Sequence, residues 1–552
     1  MVAAGLLCGL HAVCAQAANP VQAENARPGT TAWQQRLGGD IEIYGTQIGV
    51  APGEKVDFHV STAYRYRIVV YRLGWYDGAG GRQAACLPGC AIDEQGREQP
   101  QSGPPSQAGW PVTDVLQTDT TWTSGYYLVE AVLTSGPWLG RVATTYVIVR
   151  AGTASPGSQI LVQVPVNTWE AYNGWGGTSL YDFAGPRSTL VSFERPFGVM
   201  AQTPLWWEIQ LVRFLEREGY DVSYQTDVDT DADPASLLSH RLVMVAGHDE
   251  YWTGATRDAF DGALAAGTNL AFMGANEGYW HVRYLDGGQT IFSYKSLSDP
   301  NPVLAEKTAM FREIGRPECM IEGDQLQSLA PIPKMLSYTV TADGAADPWL
   351  AGTGLRPGDT ILGAVSREHD KVNPYPMSCF HPGLKSLFHY DGHGVDEDGD
   401  AVRFTAPSGA RVFAAGSLQF SWTLDDWRSD GTLGPQPPIE PWHGVPVDPR
   451  MQQFRRNALR DLLGPAAPSG LAAVRGADSV HVSLSPSRDP RALGFVAAAR
   501  VRGRWVRLCH GVSSCAGRLP PGTGPVPVGT VMVDLWRSHS AAAFAFPSRG
   551  RR

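Results

Sequence analysis

Charge is scarce in this chain. Only 18% of its 552 residues are charged, against 43% hydrophobic, the balance of a folded protein rather than a disordered one. Basic charge is the scarcer sign, with 45 Lys and Arg against 54 Asp and Glu and a net charge of −9. No basic stripe occurs, which argues against nucleic-acid binding, because neutralising phosphates takes clustered cations. Beyond the amino terminus, no run is long and apolar enough to span a membrane. There are no internal repeats and no low-complexity tract. The segment from Met1 to Ala17 reads as the apolar region and cleavage site of a secretory signal, although no positively charged stretch precedes it. The competing reading is a disordered tail.

Several catalytic signatures are also missing. Gly74-Trp75-Tyr76-Asp77-Gly78-Ala79-Gly80-Gly81-Arg82 is glycine-rich, but no helix pattern follows it. It therefore lacks the physical basis for phosphate binding and reads as an aromatic-lined turn. No G-x-S-x-G elbow follows a strand, and no cysteine sits at a strand–helix turn where a helix dipole could activate it. Serine and cysteine nucleophiles are thereby removed. Asp396-Glu397-Asp398-Gly399-Asp400 is acidic but lacks EF-hand spacing and reads as a solvated turn. Cysteines number eight. Cys8 and Cys14 would leave with the signal, and the even remainder suits an oxidising compartment. Close spacing predicts Cys86–Cys90 and Cys509–Cys515 disulfides, and Cys319–Cys379 follows by elimination. No second pair at zinc-finger spacing accompanies Cys86 and Cys90.

What is present is a change of periodicity along the chain. After the signal at 1–17, residues 35–150 alternate in short, turn-rich strands, as in a β-sandwich. Across 158–463 strands alternate with helices, and Trp206 to Glu218 is one such helix. That alternation predicts a doubly wound, parallel α/β domain of glutamine-amidotransferase-like architecture. After about Met310 the pattern loosens into short strands such as Thr360 to Val365. A Pro-rich linker then leads to residues 467–548, which read as a fibronectin-III-like sandwich.

The chemistry lies at strand ends in the α/β domain. Leu242-Val243-Met244-Val245 reads as a buried strand and Ala246-Gly247-His248-Asp249-Glu250-Tyr251-Trp252 as its exit. Asn269 to Met273 is the next strand, leaving through Gly274-Ala275-Asn276-Glu277-Gly278-Tyr279-Trp280. Two further ends carry Asn167 to Tyr181 and Asp227-Val228-Asp229. Parallel strands bring such ends to one edge, where ligands bind. The edge would then hold Asp227, Asp229, Asp249, Glu250, His248, Asn276, Tyr172 and Tyr181. Carboxylate and phenolate oxygens suit a hard ion such as Fe(III) better than zinc. The competing reading is aromatic packing, with His248-Asp249-Glu250 capping the following helix.

Taken in order, these motifs and Tyr71-Arg72-Leu73-Gly74-Trp75-Tyr76 resemble the large subunit of N,N-dimethylformamidase, over about residues 35 to 430. The resemblance implies a mononuclear ferric iron held by two tyrosines and a glutamate, with amide hydrolysis by metal-activated water. Carried over, Glu250 matches the glutamate ligand, His248 a histidine beside the iron, and Asn276 a nearby asparagine. Tyr172 and Tyr181 are the candidate tyrosine ligands, and Glu368 matches a further glutamate of the site. The family enzyme works with a small partner subunit, so the resemblance implies such a partner or a homo-oligomer. Two features depart from the family enzyme, the export signal and the appended C-terminal domain. The expected activity is that of a secreted or periplasmic, iron-dependent hydrolase of a small amide. In it His248 moves a proton or positions water, and Asn276 donates to the oxyanion. The rival is a non-catalytic surface or carbohydrate-binding protein that keeps the fold, favoured by 17 tryptophans and two sandwich-like modules. Metal content separates the two.

Overall fold

A computed structural model describes residues 18–34, 37–103, 106–152, 157–198, 200–329, 336–366, 368–372, 379–393, 398–427, 445–465, 470–476, 478–485, 492–520, 523, 526–534, 539–540, 543–545 and 547–549. The signal reading, Cys8 and Cys14 fall outside them. The chain forms a multidomain mixed α/β protein and divides into two compact units, one built mainly from 19–406 and 411–454, the other mainly from 455–552.

The larger unit begins with two β-sheets sharing one core. A three-stranded sheet (Glu42–Gly45, Lys55–Ser61, Asp114–Gln117) contributes Ile43, Val56, Phe58, Val60 and Leu116. A six-stranded sheet, with Arg65–Leu73, Gly125–Leu133 and Val142–Val149 at its centre, contributes Tyr66, Ile68, Val70, Tyr127, Val129 and Val147. Period-two alternation explains this face. The other face is buried too, so Val69, Tyr71 and Leu73 are also inaccessible. Near the end of its strand, Arg72 donates to both carboxylate oxygens of Glu216, at 2.9 and 2.8 Å, with neither side chain exposed.

A nine-stranded sheet follows. Its strands in chain order are β1 (Ile160–Val164), β2 (Val222–Thr226), β3 (Leu242–Val245), β4 (Asn269–Phe272), β5 (Leu336–Val340), β6 (Thr360–Val365), β7 (Lys385–Tyr390), β8 (Gly399–Thr405) and β9 (Arg411–Ala414). Their spatial order is β2-β1-β3-β4-β9-β8-β7-β5-β6. From β2 to β9 neighbours are parallel, and from β9 to β6 they are antiparallel. The sheet is therefore mixed, and the expectation of a doubly wound parallel sheet holds for one half. The physical reason is connection length: β8 and β9 are joined by a short turn, which permits only an antiparallel return. In the parallel half, α1 (Val166–Tyr172) follows β1, α2 (Ile209–Arg217) precedes β2, and α3 (Gly254–Ala265) joins the exit of β3 to β4. The helix expected over 206–218 is interrupted at Glu208, leaving Pro204–Trp207 separate from α2.

The smaller unit has two four-stranded sheets around one core. Ala473, Val480 and Val482 come from one sheet, and Phe495, Ala497, Ala499, Val528 and Met532 from the other. The six remaining cysteines pair as Cys86–Cys90, Cys319–Cys379 and Cys509–Cys515. Such bonds persist in oxidising, extracytoplasmic compartments. Among the described residues, no helix is long and apolar enough to cross a membrane.

Candidate metal and catalytic site

Two strand ends meet backbone to backbone. β3 is buried throughout and leaves the sheet through Gly247, at φ +64. β4 lies beside it in parallel, with Val245 opposite Phe272, and leaves through Gly274. A methyl group on Gly274 would lie 1.5 Å from the Gly247 carbonyl oxygen. Only glycine permits that approach. It sets Asn276 beside His248, with Asn276 Nδ2 3.4 Å from His248 Nε2. Asn276 itself stands at φ +59, a left-handed position that asparagine tolerates better than most residues. The turn after β9 completes the junction. Ser417 N donates to Gly274 O at 2.8 Å, Ser366 N to Ser417 Oγ at 2.8 Å, and Asp370 N to Gly416 O at 3.0 Å. The short strand Glu368–Lys371 is thereby drawn to the same edge.

The phenols arrive on α1 and its loop. Tyr172 ends α1, and Leu180 N donates to Ala171 O at 3.0 Å, returning the chain so that Tyr181 lies against Tyr172. Buried Arg195 clamps this loop. It pairs with Glu170 and donates to the carbonyls of Thr178 and Asn173 at 2.9 Å each.

The candidate residues converge in two groups. Tyr181 Oη lies 3.0 Å from Tyr172 Oη and 3.0 Å from each carboxylate oxygen of Glu250. Opposite them, His248 Nε2 lies 3.0 Å from Glu368 and 3.6 Å from Glu250, and Asn276 Nδ2 donates to Glu368 at 3.2 Å. Gln202 Oε1 accepts from Trp207 Nε1 at 2.9 Å, so it also accepts from His248 Nδ1, at 2.9 Å. That bond directs Nε2 toward the carboxylates.

The donor set fits a hard cation. Tyr181 has one proton, yet three oxygens lie 3.0 Å from it. Oxygens sharing an octahedral ion at about 2.0–2.1 Å stand about 2.8–3.0 Å apart. Burial first, and then the Glu250 charge, push both phenols well above their usual range, so ionising them takes a strong nearby cation. Burial also raises the Glu250 carboxyl, although His248 and Lys295 pull it back. For His248 burial disfavours the cation, but Glu368, Glu250 and Asp249 outweigh it and the pKa is raised.

Some expected members stand elsewhere. Asp229 closes a capping box with Thr226 at the start of the helix Asp227–Ala232. Asp227 accepts from Asn167 N at 3.0 Å, and Asp249 from Gln163 Nε2 at 2.7 Å. The capping reading of His248-Asp249-Glu250 is also corrected, because Thr253 caps α3 by accepting from Thr256 N at 3.1 Å. Of the acidic stretch Asp396 to Asp400, the described Asp400 accepts from Ser386 Oγ at 2.7 Å. Its residues 396 and 397 lie outside the described set.

Sequence reasoning missed Lys295, Tyr251 and Gln202. Lys295 Nζ donates to Tyr251 Oη at 2.7 Å, and Tyr251 donates to Tyr181 Oη at 2.6 Å. The Lys295 ammonium also lies 3.4 Å from the Tyr181 ring centre, and burial lowers its pKa to about 8. Tyr251 was visible as part of its motif, but Lys295 and Gln202 carry no local signal. Behind the Asn276 turn lies a separate buried group, Glu277, Glu322 and Asp370, that could hold a metal ion.

The profile of the family described as N,N-dimethylformamidase beta subunit-like, C-terminal, matches residues 67–432. The N,N-dimethylformamidase beta subunit of Alcaligenes sp is 31% identical over 87 residues, covering 16% of this chain and 11% of that protein. The corresponding subunit of Paracoccus aminophilus gives the same identity and coverage, 31% over 16% of this chain and 11% of its own length. This chain thus spans a small part of those relatives. Among solved structures, an Fn3-like protein from Clostridium thermocellum is 15% identical, covering 16% of this chain and 97% of its own, with a TM-score of 0.14. The FN1–FN3 domains of chicken CNTN1 are 8% identical, covering 93% of this chain and 99% of theirs, with a TM-score of 0.13. Scores this low carry no argument about the fold.

Proposed function

We propose, because the chain belongs to the N,N-dimethylformamidase beta subunit-like, C-terminal family, that it is an exported, iron-dependent hydrolase of small amides. The observation that carries this reading is the packing of two phenols and a carboxylate at 3.0 Å, faced by an imidazole, an amide and a second carboxylate. Tyr172, Tyr181 and Glu250 would hold the iron. When bound, it supplies Lewis acidity that polarises an amide carbonyl and acidifies water. His248 takes a proton at Nε2, is stabilised as imidazolium by Glu368, and returns the proton to the leaving amine. Asn276 Nδ2 donates to the oxygen on which charge develops. Phe183, 41% exposed and stacked 5.5 Å from Tyr181, offers an apolar wall for small alkyl groups.

The relatives' name, N,N-dimethylformamidase beta subunit, makes N,N-dimethylformamide the first substrate to assay and a partner subunit the first assembly to seek. Three disulfides support export. A sandwich over 35–150, an α/β domain of glutamine-amidotransferase type over 158–463 and a fibronectin-III-like domain over 467–548 belong to the same reading. Protein purified after iron-replete expression should carry about one iron per chain, show a tyrosinate-to-iron charge-transfer colour and release amine from small amides. Stoichiometric zinc overturns the iron assignment. Protein with neither metal nor turnover is the non-catalytic surface or carbohydrate-binding alternative.

A further inference from the structure

Four buried carboxylates stand together behind the Asn276 turn. Glu277 belongs to that turn, Glu322 ends the short helix Cys319–Glu322, Asp324 follows it, and Asp370 lies on the strand Glu368–Lys371. None is more than 1% exposed. Glu277, Glu322 and Asp370 each place an oxygen within 4.8 Å of the others. Among the described residues, no lysine, arginine or histidine forms an ion pair with any of the four; Arg312, whose charge acts on Asp370, is itself paired with Glu318. Two backbone donors serve the group, Gly274 N to Glu277 Oε1 at 2.9 Å and Asn276 N to both oxygens of Asp370 at 3.1 Å.

The independent observation is the orphaned oxygens of this group and of Asp324 beside it. Asp324 is fully buried, and neither of its carboxylate oxygens has a hydrogen-bond partner. Asp370 and Glu277 are the charges that act on it most strongly, ahead of Asp400, so this orphaned carboxyl borders the group. Glu277 Oε2 and Glu322 Oε1 are orphaned as well. Buried carboxylates are paired, bind metals or keep their protons, because a bare buried charge is costly.

We propose that Glu277, Glu322 and Asp370, with Asp324 beside them, form a second metal site, distinct from the phenol-lined one, that takes a calcium-class divalent cation. All-carboxylate donors select a hard ion. A buried cage of protein carboxylates suits calcium, whereas magnesium gives up its waters reluctantly and is seldom held by protein oxygens alone. The ion offsets two charges, and the Gly274 and Asn276 N–H groups, with the Arg312 guanidinium acting on Asp370, face the remainder. Its role is to hold the left-handed turn that presents Asn276, because Asp370 grips that residue's backbone. Only this last role rests on the amidase reading.

The test uses the full chain carrying Glu250→Gln, which disables the phenol-lined site, after dialysis against EDTA. Titration with calcium chloride should show one saturable site per chain and raise the melting temperature by several degrees. Adding Glu322→Gln and Asp324→Asn should weaken calcium binding roughly 100-fold or more while preserving the EDTA-treated melting temperature. Should that protein fail to fold, Glu322→Gln alone makes the same comparison. No saturable calcium binding, equal binding in the variants, or a preference for magnesium would each overturn the site. Iron content of the unmodified protein is measured separately, so loss of the amidase reading leaves this result interpretable.

Discussion

Replacing Glu250 by Gln separates a metal ligand from a structural residue. The side chain is isosteric, and the backbone is anchored without it. Glu250 N donates to Thr168 Oγ1 at 2.9 Å, and its carbonyl accepts from Tyr279 N and Trp280 N at 3.0 and 2.8 Å. The helix that follows is capped by Thr253, so no cap is lost. Metal-free protein should therefore change stability by less than about 1 kcal/mol. Iron binding should suffer far more, since a neutral amide replaces the one carboxylate of the donor set. Take a 100-fold loss of affinity as the modest case. At iron 100-fold above Kd the unmodified protein gains about 2.7 kcal/mol from binding, and the variant, then at its own Kd, about 0.4 kcal/mol. The variant should lose about 2.3 kcal/mol of iron-dependent stability and nearly none of the rest. Denaturant melts with and without iron, alongside iron analysis, read this directly. Full iron occupancy in the variant, or equal destabilisation with and without iron, would refute the ligand assignment.

Asn276→Ala should keep its iron and lower turnover by roughly 100-fold, as for a lost oxyanion donor; steady-state kinetics and iron content check both halves. Alanine at φ +59 should also cost about 1 kcal/mol of stability. Glu130 is buried, with one oxygen unpartnered, and burial pushes its pKa from 4.5 to about 8. Below pH 4.5 it is neutral in folded and unfolded chains alike. Above that the unfolded chain ionises while the folded chain keeps its proton, so stability falls up to about pH 8. The loss is on the order of 5 kcal/mol, and Glu130→Gln should flatten melting temperature across that window; an unchanged slope refutes it. Removing Cys319–Cys379, which spans 60 residues, should cost about 4 kcal/mol, and removing Cys86–Cys90, which spans 4, about 2 kcal/mol. Free thiols at these positions in non-reducing mass mapping would contradict the pairing.

Local pattern determined a good deal. The apolar run Leu242 to Val245 and the glycine after it marked a buried strand and its exit, and Asn269 to Gly274 did the same one strand later. Neighbouring parallel strands then required His248 and Asn276 to share an edge. Alternating residues marked the strands of the N-terminal sheets, and short spacing marked two cysteine pairs. Tertiary structure decided the rest, because periodicity records which face a strand buries and not which strand lies beside it. The antiparallel half of the central sheet was hidden for that reason. So was the diversion of Asp227, Asp229 and Asp249 into caps and buried hydrogen bonds, while Glu250 alone of the four acids reaches the phenols. Glu368 was reached through the family resemblance rather than through any local pattern. Gln202, Lys295 and Asp324 come from segments far apart in the chain, and only the meeting of the β3, β4 and β9 exits, at glycines that admit no side chain, sets His248, Asn276 and Asp370 in contact.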